Sequence, residues 1–318
     1  MRMLGPPESL VPVMTVAYAA PRRASTPVAA GFAYMLSSVA VFSVMDALVK
    51  WLAADYSVAQ LMFFRSVFAF VPLGVLAWHS GGPAALRTTR PGGHVLRALI
   101  GITAMGLFFL ALGLMPLADV VAISFAGPLF LTALSVPLLG ERVGIRRWAA
   151  VVVGFLGVLV IVRPGPGMFD PVSLVAVGGA VAYGLAMIMV RKLSATESTV
   201  AIVFYFTLSC ALVSGLALPF TWVTPPAEDW IALAALGVLG GLGQILMTNA
   251  FRRVQAAVVA PLEYTAILFA VALGIVFWNE RPDSWTLIGA AVVIACGLYI
   301  LHRETMRGRG ARARLPTA

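Results

Sequence analysis

The sequence predicts an all-α membrane protein whose ten transmembrane helices form two inverted five-helix repeats. Three observations predict this fold class: the composition, the spacing of apolar segments and a similarity between the two halves of the chain. Of 318 residues, 61% are hydrophobic and 11% are charged. A soluble domain has about 45–50% apolar and about 25% charged residues. The main solvent of this chain is therefore lipid rather than water.

The apolar segments recur at the length that a bilayer requires, which is about 20 residues for a hydrocarbon layer of about 30 Å. We predict helices at about residues 28–51, 57–78, 95–115, 119–138, 146–163, 171–190, 199–219, 230–250, 257–277 and 285–301. The turns between them are short and carry Gly, Pro and charged residues. This arrangement leaves no room for a soluble domain.

The net charge of +9 is explained by membrane topology. If successive helices alternate in direction, nearly all of the 22 Lys and Arg residues fall on the side of the N-terminus. The exceptions are Lys50, Arg65, Arg163 and Arg281. Because cytoplasmic loops carry an excess of Lys and Arg, both termini are predicted to be cytoplasmic in a bacterial inner membrane. No nucleic-acid partner is expected.

Both ends of the chain are predicted to be cytoplasmic extensions. Residues 1–27 form a leader that we expect to be disordered, although its apolar stretch Leu10–Ala20 also resembles the core of a cleaved signal peptide. Arg22 and Arg23 directly before the first helix favour the cytoplasmic interpretation. Residues 303–318 form a basic tail, for which contact with anionic lipid is an alternative to a purely topological role.

The two halves of the chain resemble each other after a shift of about 140 residues. A shift of 139 aligns Glu141-Arg142 with Glu280-Arg281, and a shift of 141 aligns Val49-Lys50 with Val190-Arg191. The predicted repeats are residues 28–165 and 170–302. Since each half has five helices, an odd number, the second half enters the membrane from the opposite side. Inverted repeats with a binding site near the midplane are typical of secondary transporters.

The fourth segment carries a more specific pattern, in which a Pro-rich helix running from Pro128 ends in Gly-Glu-Arg at residues 140–142 and is followed by Gly154 and Gly157. With ten segments in two halves, the chain resembles the EamA family of the drug/metabolite transporter superfamily over about residues 30–302. The resemblance implies a transporter of small organic solutes, in a family that includes exporters of amino acids and importers of vitamins and nucleoside-like metabolites. The run from Ala260 to Tyr264 resembles the branch with riboflavin and S-adenosylmethionine importers.

Asp46, Lys50 and Arg65 are charged residues within or beside the first two helices. A charge in hydrocarbon costs about 2.5–3.5 kcal/mol or more, so each must face protein or water. Lys50 lies four residues after Asp46 on one helical face, and Arg65 lies at a similar depth. Two interpretations are open: a buried ion pair that joins helix 1 to helix 2, or a charged lining of the outer half of a cavity.

Glu263 is a candidate for substrate binding or proton coupling because it follows Pro261, which interrupts the backbone hydrogen bonds of the ninth helix. A carboxylate beside interrupted backbone is suited to bind a solute or a proton. Tyr264 is a second candidate, as a stacking or hydrogen-bonding group, and packing is its alternative role.

Three further candidates are Gln244 and Asn249 on the eighth helix and Tyr183 on the sixth. The amides are interpreted either as interhelical hydrogen-bonding groups or as substrate contacts. Tyr183 is a candidate aromatic wall for a planar solute. The neighbouring glycines between Gly237 and Gly243 are expected to allow close helix packing.

The most consistent function is secondary transport of a small organic metabolite by alternating access. A riboflavin-like or nucleoside-like compound, an amino acid and a carboxylate all stay open as substrates. Alternatives are a membrane-embedded transferase and a non-transporting membrane scaffold. No cofactor or metal is expected, because no GxxxxGK[ST] loop and no His ligand spacing occur in the sequence. Membrane lipids are the other expected partner, and both a monomer and a homodimer stay open.

Overall fold

The computed structural model describes residues 26–140, 143–163, 170–193, 196–253 and 260–312. These residues form α-helices and two short 3-10 turns, with no β-strand among them. The helices are α1 (Thr26–Leu52), α2 (Val58–His79), α3 (Pro91–Leu114), α4 (Leu117–Ser124), α5 (Gly127–Leu139), α6 (Ile145–Val162), α7 (Ser173–Leu193), α8 (Thr199–Thr221), α9 (Asp229–Arg253), α10 (Ala266–Trp278) and α11 (Ser284–Arg312). The 3-10 turns are Gly82–Leu86 and Ala260–Thr265.

Ten apolar segments agree with the ten predicted from the sequence. Eight are long and apolar enough to cross a membrane, with α4 and α5 counted as the single segment Leu117–Leu139, and two shorter ones are Leu262–Trp278 and Ser284–Ile300. Large apolar side chains on their outer faces are exposed, such as Leu216 at 77% and Phe220 at 87%. Because such surfaces are stable only in hydrocarbon, the chain is a multi-pass membrane protein.

The ends of the chain differ in part from the prediction. The predicted leader falls almost entirely outside the described residues. The last helix, expected to end at about residue 301, continues to Arg312 and therefore includes most of the predicted basic tail. Glu141, one of the two glutamates used to align the repeats, also lies outside the described residues.

The fourth segment is broken between α4 and α5. Pro128 has no N–H to donate to the carbonyl of Ser124, so the α-helical ladder cannot run through this position. The chain closes α4 with a tighter bond, from the N–H of Ala126 to the carbonyl of Ile123 at 2.9 Å, and α5 then begins at Gly127. In the second half, the 3-10 turn Ala260–Thr265 lies directly before α10. The break between α4 and α5 packs against α7, the first helix of the second half. The turn Ala260–Thr265 packs against α1, the first helix of the first half.

Helices of the two halves pack against each other rather than forming separate bundles. The main pairs are α1 with α9, α3 with α7, α6 with α11, and α2 with both α8 and α9. The main hydrophobic core therefore contains residues of both halves, such as Phe109 and Leu129 with Leu233 and Val293, all of which are buried.

Close approach of α9 to two neighbouring helices depends on its glycines. A Cβ at Gly237 of α9 would lie 2.4 Å from Cβ of Phe68, and one at Gly241 would lie 2.3 Å from Cγ of Pro72. Both neighbours belong to α2. Such small residues let helix backbones approach closely in membranes, as expected for the α9 glycines. Gly243 does the same against Phe42 of α1.

Helices α5 and α10 end in the same way. Gly140 and Asn279 follow their last residues and adopt left-handed conformations, with φ of 67° and 53°. Their amides bond back to the carbonyls of Val136 and Ile275 at 3.1 Å in each case. The two positions are 139 residues apart (279 minus 140), which is the shift that aligns the halves.

The α6–α11 contact can be tested by adding one methyl group. A Cβ at Gly289 would lie 2.5 Å from Cγ1 of Ile161 and 2.7 Å from the carbonyl oxygen of Gly157. Because the backbone cannot yield, we expect Gly289→Ala to lower the free energy of unfolding by about 1–3 kcal/mol. Thermal unfolding of the purified protein in detergent measures this change.

Gly74→Ala on α2 is the matched control, because no atom lies within 4 Å of the added Cβ. Alanine there should be neutral or stabilising by up to about 1 kcal/mol through helix propensity. Equal stability of the two variants would contradict a tight α6–α11 interface.

Candidate functional site

A cavity of about 80 Å³ lies between α2, α3, α8 and α9. Its polar lining consists of Arg65, Arg97, Thr207 and Gln244, and Gly240 and Gly241 form part of its wall. A buried water needs about 10–15 Å³ measured in this way. The cavity therefore has room for several waters or one small polar group, and it is bordered by two helices from each half.

Arg65 extends from α2 along the surface of Gly240 on α9. A Cβ at Gly240 would lie 3.4 Å from Nε of Arg65. This Nε is buried and has no hydrogen-bond partner among the described residues. Asp46 on α1 attracts Arg65 electrostatically, but no direct ion pair joins them in the described part of the chain. The predicted Asp46–Arg65 neighbourhood is present, while a tight ion pair between helices 1 and 2 is not.

Arg97 on α3 is the site residue that the sequence analysis missed. It was counted among the cytoplasmic charges because it lies near the end of its segment. In the structure its guanidinium lies 4.3 Å from the ring centroid of Phe206 on α8. It occupies space that a side chain at Gly101 would fill, since a Cβ there would lie within 3 Å of both Arg97 and Phe206. Buried Nε and Nη1 atoms of Arg97 have no hydrogen-bond partner among the described residues.

Tyr183 and Glu263 extend this polar region towards the broken helices. The Tyr183 ring packs on Gly127 at the start of α5, where a Cβ would lie 2.7 Å from its Cδ1 atom. Tyr183 interacts electrostatically with both Arg97 and Glu263. Glu263 lies in the 3-10 turn Ala260–Thr265. Of the predicted residues, Arg65 and Gln244 line the cavity. Asp46 and Tyr183 lie close enough to its arginines to influence them electrostatically, and Glu263 lies near Tyr183 in turn.

Lys50 is not part of this region, and its partner is not Asp46. Its Nζ donates to the carbonyl of Met115 at 2.6 Å and pairs with Glu280 at 2.9 Å. The ring of Trp278 lies 5.5 Å away. The partner is 230 residues distant (280 minus 50), in the other half of the chain. A match of charge and helical spacing within one segment could not reveal it.

Tyr264 and Asn249 do not line the cavity. The Tyr264 ring packs edge-on against Phe125 at 5.0 Å, and its hydroxyl lies where a Cβ of Gly297 on α11 would be. Tyr264 is thus placed for helix packing, the alternative role. Asn249 donates from Nδ2 to the carbonyl of Ile245 at 3.0 Å, one turn earlier in its own helix.

The end of the molecule that holds Lys50 is closed by polar contacts between the halves. Glu280 also accepts a hydrogen bond from the N–H of Leu117 at 2.9 Å, which caps α4. Tyr56 donates to Asp229 at 2.5 Å. Burial, and then this hydrogen bond, raise the pKa of Tyr56 to about 12. We call Lys50, Tyr56, Leu117, Asp229 and Glu280 the outer cluster.

The opposite end has its own set of contacts, centred on Glu197 in the turn before α8. Its carboxylate accepts hydrogen bonds from the N–H of Thr89 at 3.0 Å and the hydroxyl of Thr89 at 2.9 Å. His94 lies 3.4 Å from its other oxygen. The Thr89 N–H bond is the largest influence that lowers the pKa of Glu197 to about 2. We call Thr89, His94 and Glu197 the inner cluster.

Comparison with known proteins assigns the chain to a family. The model of the EamA-like transporter family matches the chain twice, at residues 29–163 and at residues 171–302. The chain belongs to this family. Two matches of one family model to one chain mean that each half of this EamA-like protein carries the pattern of the family.

Characterised relatives of the EamA-like chain are transporters of small metabolites. An S-adenosylmethionine uptake transporter of Rickettsia prowazekii is 30% identical over 274 residues, 86% of this chain and 93% of the relative. The pseudopaline exporter CntI of Pseudomonas aeruginosa is 34% identical over 263 residues, 80% of this chain and 90% of the relative. These relatives are a transporter and an exporter, and the EamA-like chain is not an enzyme.

A riboflavin transporter of Vibrio cholerae is 27% identical over 287 residues, 89% of this chain and 96% of the relative. A solved crystal structure superposes with a TM-score of 0.61 at 20% identity, over 86% of this chain and 97% of the other. Likeness at this low identity supports the fold alone.

The inner cluster generates a pH-dependent prediction. The carboxylate of Glu197 has a pKa of about 2 instead of its ordinary 4.5, so its stabilising effect is complete above pH 4.5 and is lost as the pH falls towards 2. We expect Glu197→Gln to lower the Tm by a few degrees at pH 7. The difference from the unmodified protein should shrink between pH 4.5 and pH 3.

Thermal unfolding across this pH range measures the effect, with Glu228→Gln as control because Glu228 is an exposed glutamate outside the membrane-spanning segments. A difference in Tm that is the same at pH 3 and pH 7 would show that the charge of Glu197 does not stabilise the fold.

Proposed function

We propose that this protein is a secondary transporter that moves a small organic metabolite across a bacterial inner membrane by alternating access. The observation that carries the proposal is a polar cavity bordered by helices from two halves that each match a transporter family. A site at the interface of two repeats can be exposed to one side and then to the other when the repeats move against each other.

Helix packing supports an inverted repeat. In the repeat, α1 corresponds to α7, α2 to α8, α3 to α9 and α6 to α11. Replacing each helix by its counterpart turns the pair α1–α9 into α7–α3 and leaves the pairs α2–α8 and α6–α11 unchanged. All of these pairs are in contact. The left-handed residues Gly140 and Asn279 also exchange under the same operation. With five segments in each half, such an arrangement has the halves inserted in opposite directions.

The two clusters support a conformation that is closed at the outer end. Under the positive-inside rule the turn at Glu280 faces outwards, and both termini and the turn at Glu197 face the cytoplasm. The cavity extends from Arg65 towards Leu76 and Val203, which lie near the cytoplasmic ends of α2 and α8. Outward opening then requires Lys50 and Glu280 to separate.

The substrates of the relatives define the first test of transport. We propose counterflow into proteoliposomes preloaded in turn with S-adenosylmethionine, riboflavin, nucleosides, amino acids or carboxylates, with and without a pH gradient. Saturable uptake of one class above that of protein-free liposomes is the expected result. Absence of flux for every solute, with protein shown to be folded, would contradict the transport function.

Glu263 is proposed to couple transport to protons, since its carboxylate lies beside the irregular backbone of the turn Ala260–Thr265. We expect Glu263→Gln to abolish the pH dependence of counterflow, because an amide cannot take up and release a proton. Glu228→Gln is the control. If Glu263→Gln keeps both the flux and its pH dependence, the coupling role is wrong.

The outer cluster generates a prediction about opening. In Glu280→Gln the side chain can still accept from the N–H of Leu117, but the charge that attracts Lys50 is lost. We expect the outer end to open more often, so that hydrogen–deuterium exchange of the first turn of α4 becomes severalfold faster. Glu228→Gln, on the same side, should leave this exchange unchanged. Unaltered exchange in Glu280→Gln would contradict a closing role for the ion pair.

A further inference from the structure

Both arginines of the cavity have hydrogen-bond capacity that the described residues leave unused. Nε of Arg65 and the Nε and Nη1 atoms of Arg97 are buried without a partner. A guanidinium has five N–H donors and stays charged in proteins. Buried donors are normally satisfied, by protein or by ordered water. Two arginines with unused donors beside one cavity are suited to bind an acceptor that enters it.

No acidic side chain among the described residues lines the cavity, whereas two arginines do. Asp46 attracts Arg65, whereas the Arg97 guanidinium lies over the ring of Phe206. No acidic side chain forms an ion pair with Arg97 in the described ranges. One positive charge in the centre of the protein therefore lacks a carboxylate.

Local geometry fixes the position of this charge. Phe206 holds one face of the Arg97 guanidinium, and the missing side chain of Gly101 leaves the space in which both groups lie. The planar fork of arginine is thereby held in one orientation, a geometry suited to a two-point contact with a carboxylate or phosphate.

The arginines also break the symmetry of the repeats. A shift of 141 residues places Phe206 opposite Arg65 (206 minus 65), so the second half has an aromatic ring where the first has a cation. Residues required by the duplicated scaffold should occur in both halves. A cation found in one half alone is better explained by binding than by folding.

We propose, building on the transport function above, that the transported solute is an organic anion whose carboxylate or phosphate group binds Arg65 and Arg97. The anion supplies the charge that Arg97 lacks and the acceptors for the unused N–H groups. The remaining part of the solute lies against Phe206 and the apolar wall formed by α2 and α9.

Small aromatic acids test this proposal without knowledge of the natural solute. Isothermal titration of the purified full-length protein in detergent would compare benzoate and phenyl phosphate with neutral benzamide. Binding of benzoate or phenyl phosphate, at least tenfold tighter than benzamide, is expected. The stronger of the two acids identifies whether a carboxylate or a phosphate is preferred.

Substitutions then locate the binding. We expect Arg97→Gln to weaken binding of the preferred acid at least tenfold, and Arg65→Gln to weaken it severalfold. Gly101→Ala keeps both charges but displaces the Arg97 guanidinium, so it should also weaken the acid and leave benzamide unaffected. Arg87→Gln, an exposed arginine before α3, is the control and should bind like the unmodified protein.

The proposal is overturned if acids and benzamide bind alike, if neither acid binds to folded protein, or if Arg97→Gln binds the acid as well as the unmodified protein. These outcomes are separate from failure of the transport function. Acid binding without flux for any solute would contradict transport alone. Saturable flux of riboflavin or a nucleoside that neither acid inhibits would contradict the anion site alone.

Discussion

Hydrocarbon offers no hydrogen-bond partner to a peptide group, and the rest of this structure follows from that constraint. Each crossing segment satisfies its own backbone as a helix. The two interruptions, at Phe125–Ala126 and in the turn Ala260–Thr265, lie where other helices pack against the chain. Irregular backbone at membrane depth is tolerated in such places alone. The need to satisfy every backbone hydrogen bond therefore makes the lipid-facing segments helical and confines irregular backbone to the protein interior.

Charged side chains within the protein also need partners, and the ends of the molecule differ from its centre in how far this need is met. At each end a carboxylate is matched by specific donors, with Glu280 bonded to Lys50 and Leu117 and Glu197 bonded to Thr89. In the centre the guanidinium groups of Arg65 and Arg97 retain unused donors. The carboxylates at the two ends have donors within the protein, whereas the unused donors in the centre are those that we propose to bind a ligand.

Element positions could be predicted well from the sequence, because hydropathy over about 20 residues reports directly on the solvent of each segment. Partners could not. Lys50 lies one helical turn from Asp46 along the chain, but its partner comes from the other half, which only tertiary packing brings near. Arg97 was interpreted by its distance from a segment end, and nothing in its neighbourhood along the chain indicates that Gly101 and Phe206 direct it inwards. Duplication of the chain was visible because it is a property of the sequence itself.

The outer and inner clusters share no residue and use different chemistry. The outer one relies on an ion pair beside an indole ring, while the inner one relies on a carboxylate held by threonine donors. A substitution can therefore strengthen or weaken one closure and leave the other untouched. In alternating access, uptake and export differ in which of the two closures opens more readily once solute is bound. Under the proposed alternating-access mechanism, a lineage with this scaffold can thus change its preferred direction of transport through the ends of the molecule, while the proposed solute-binding centre stays the same.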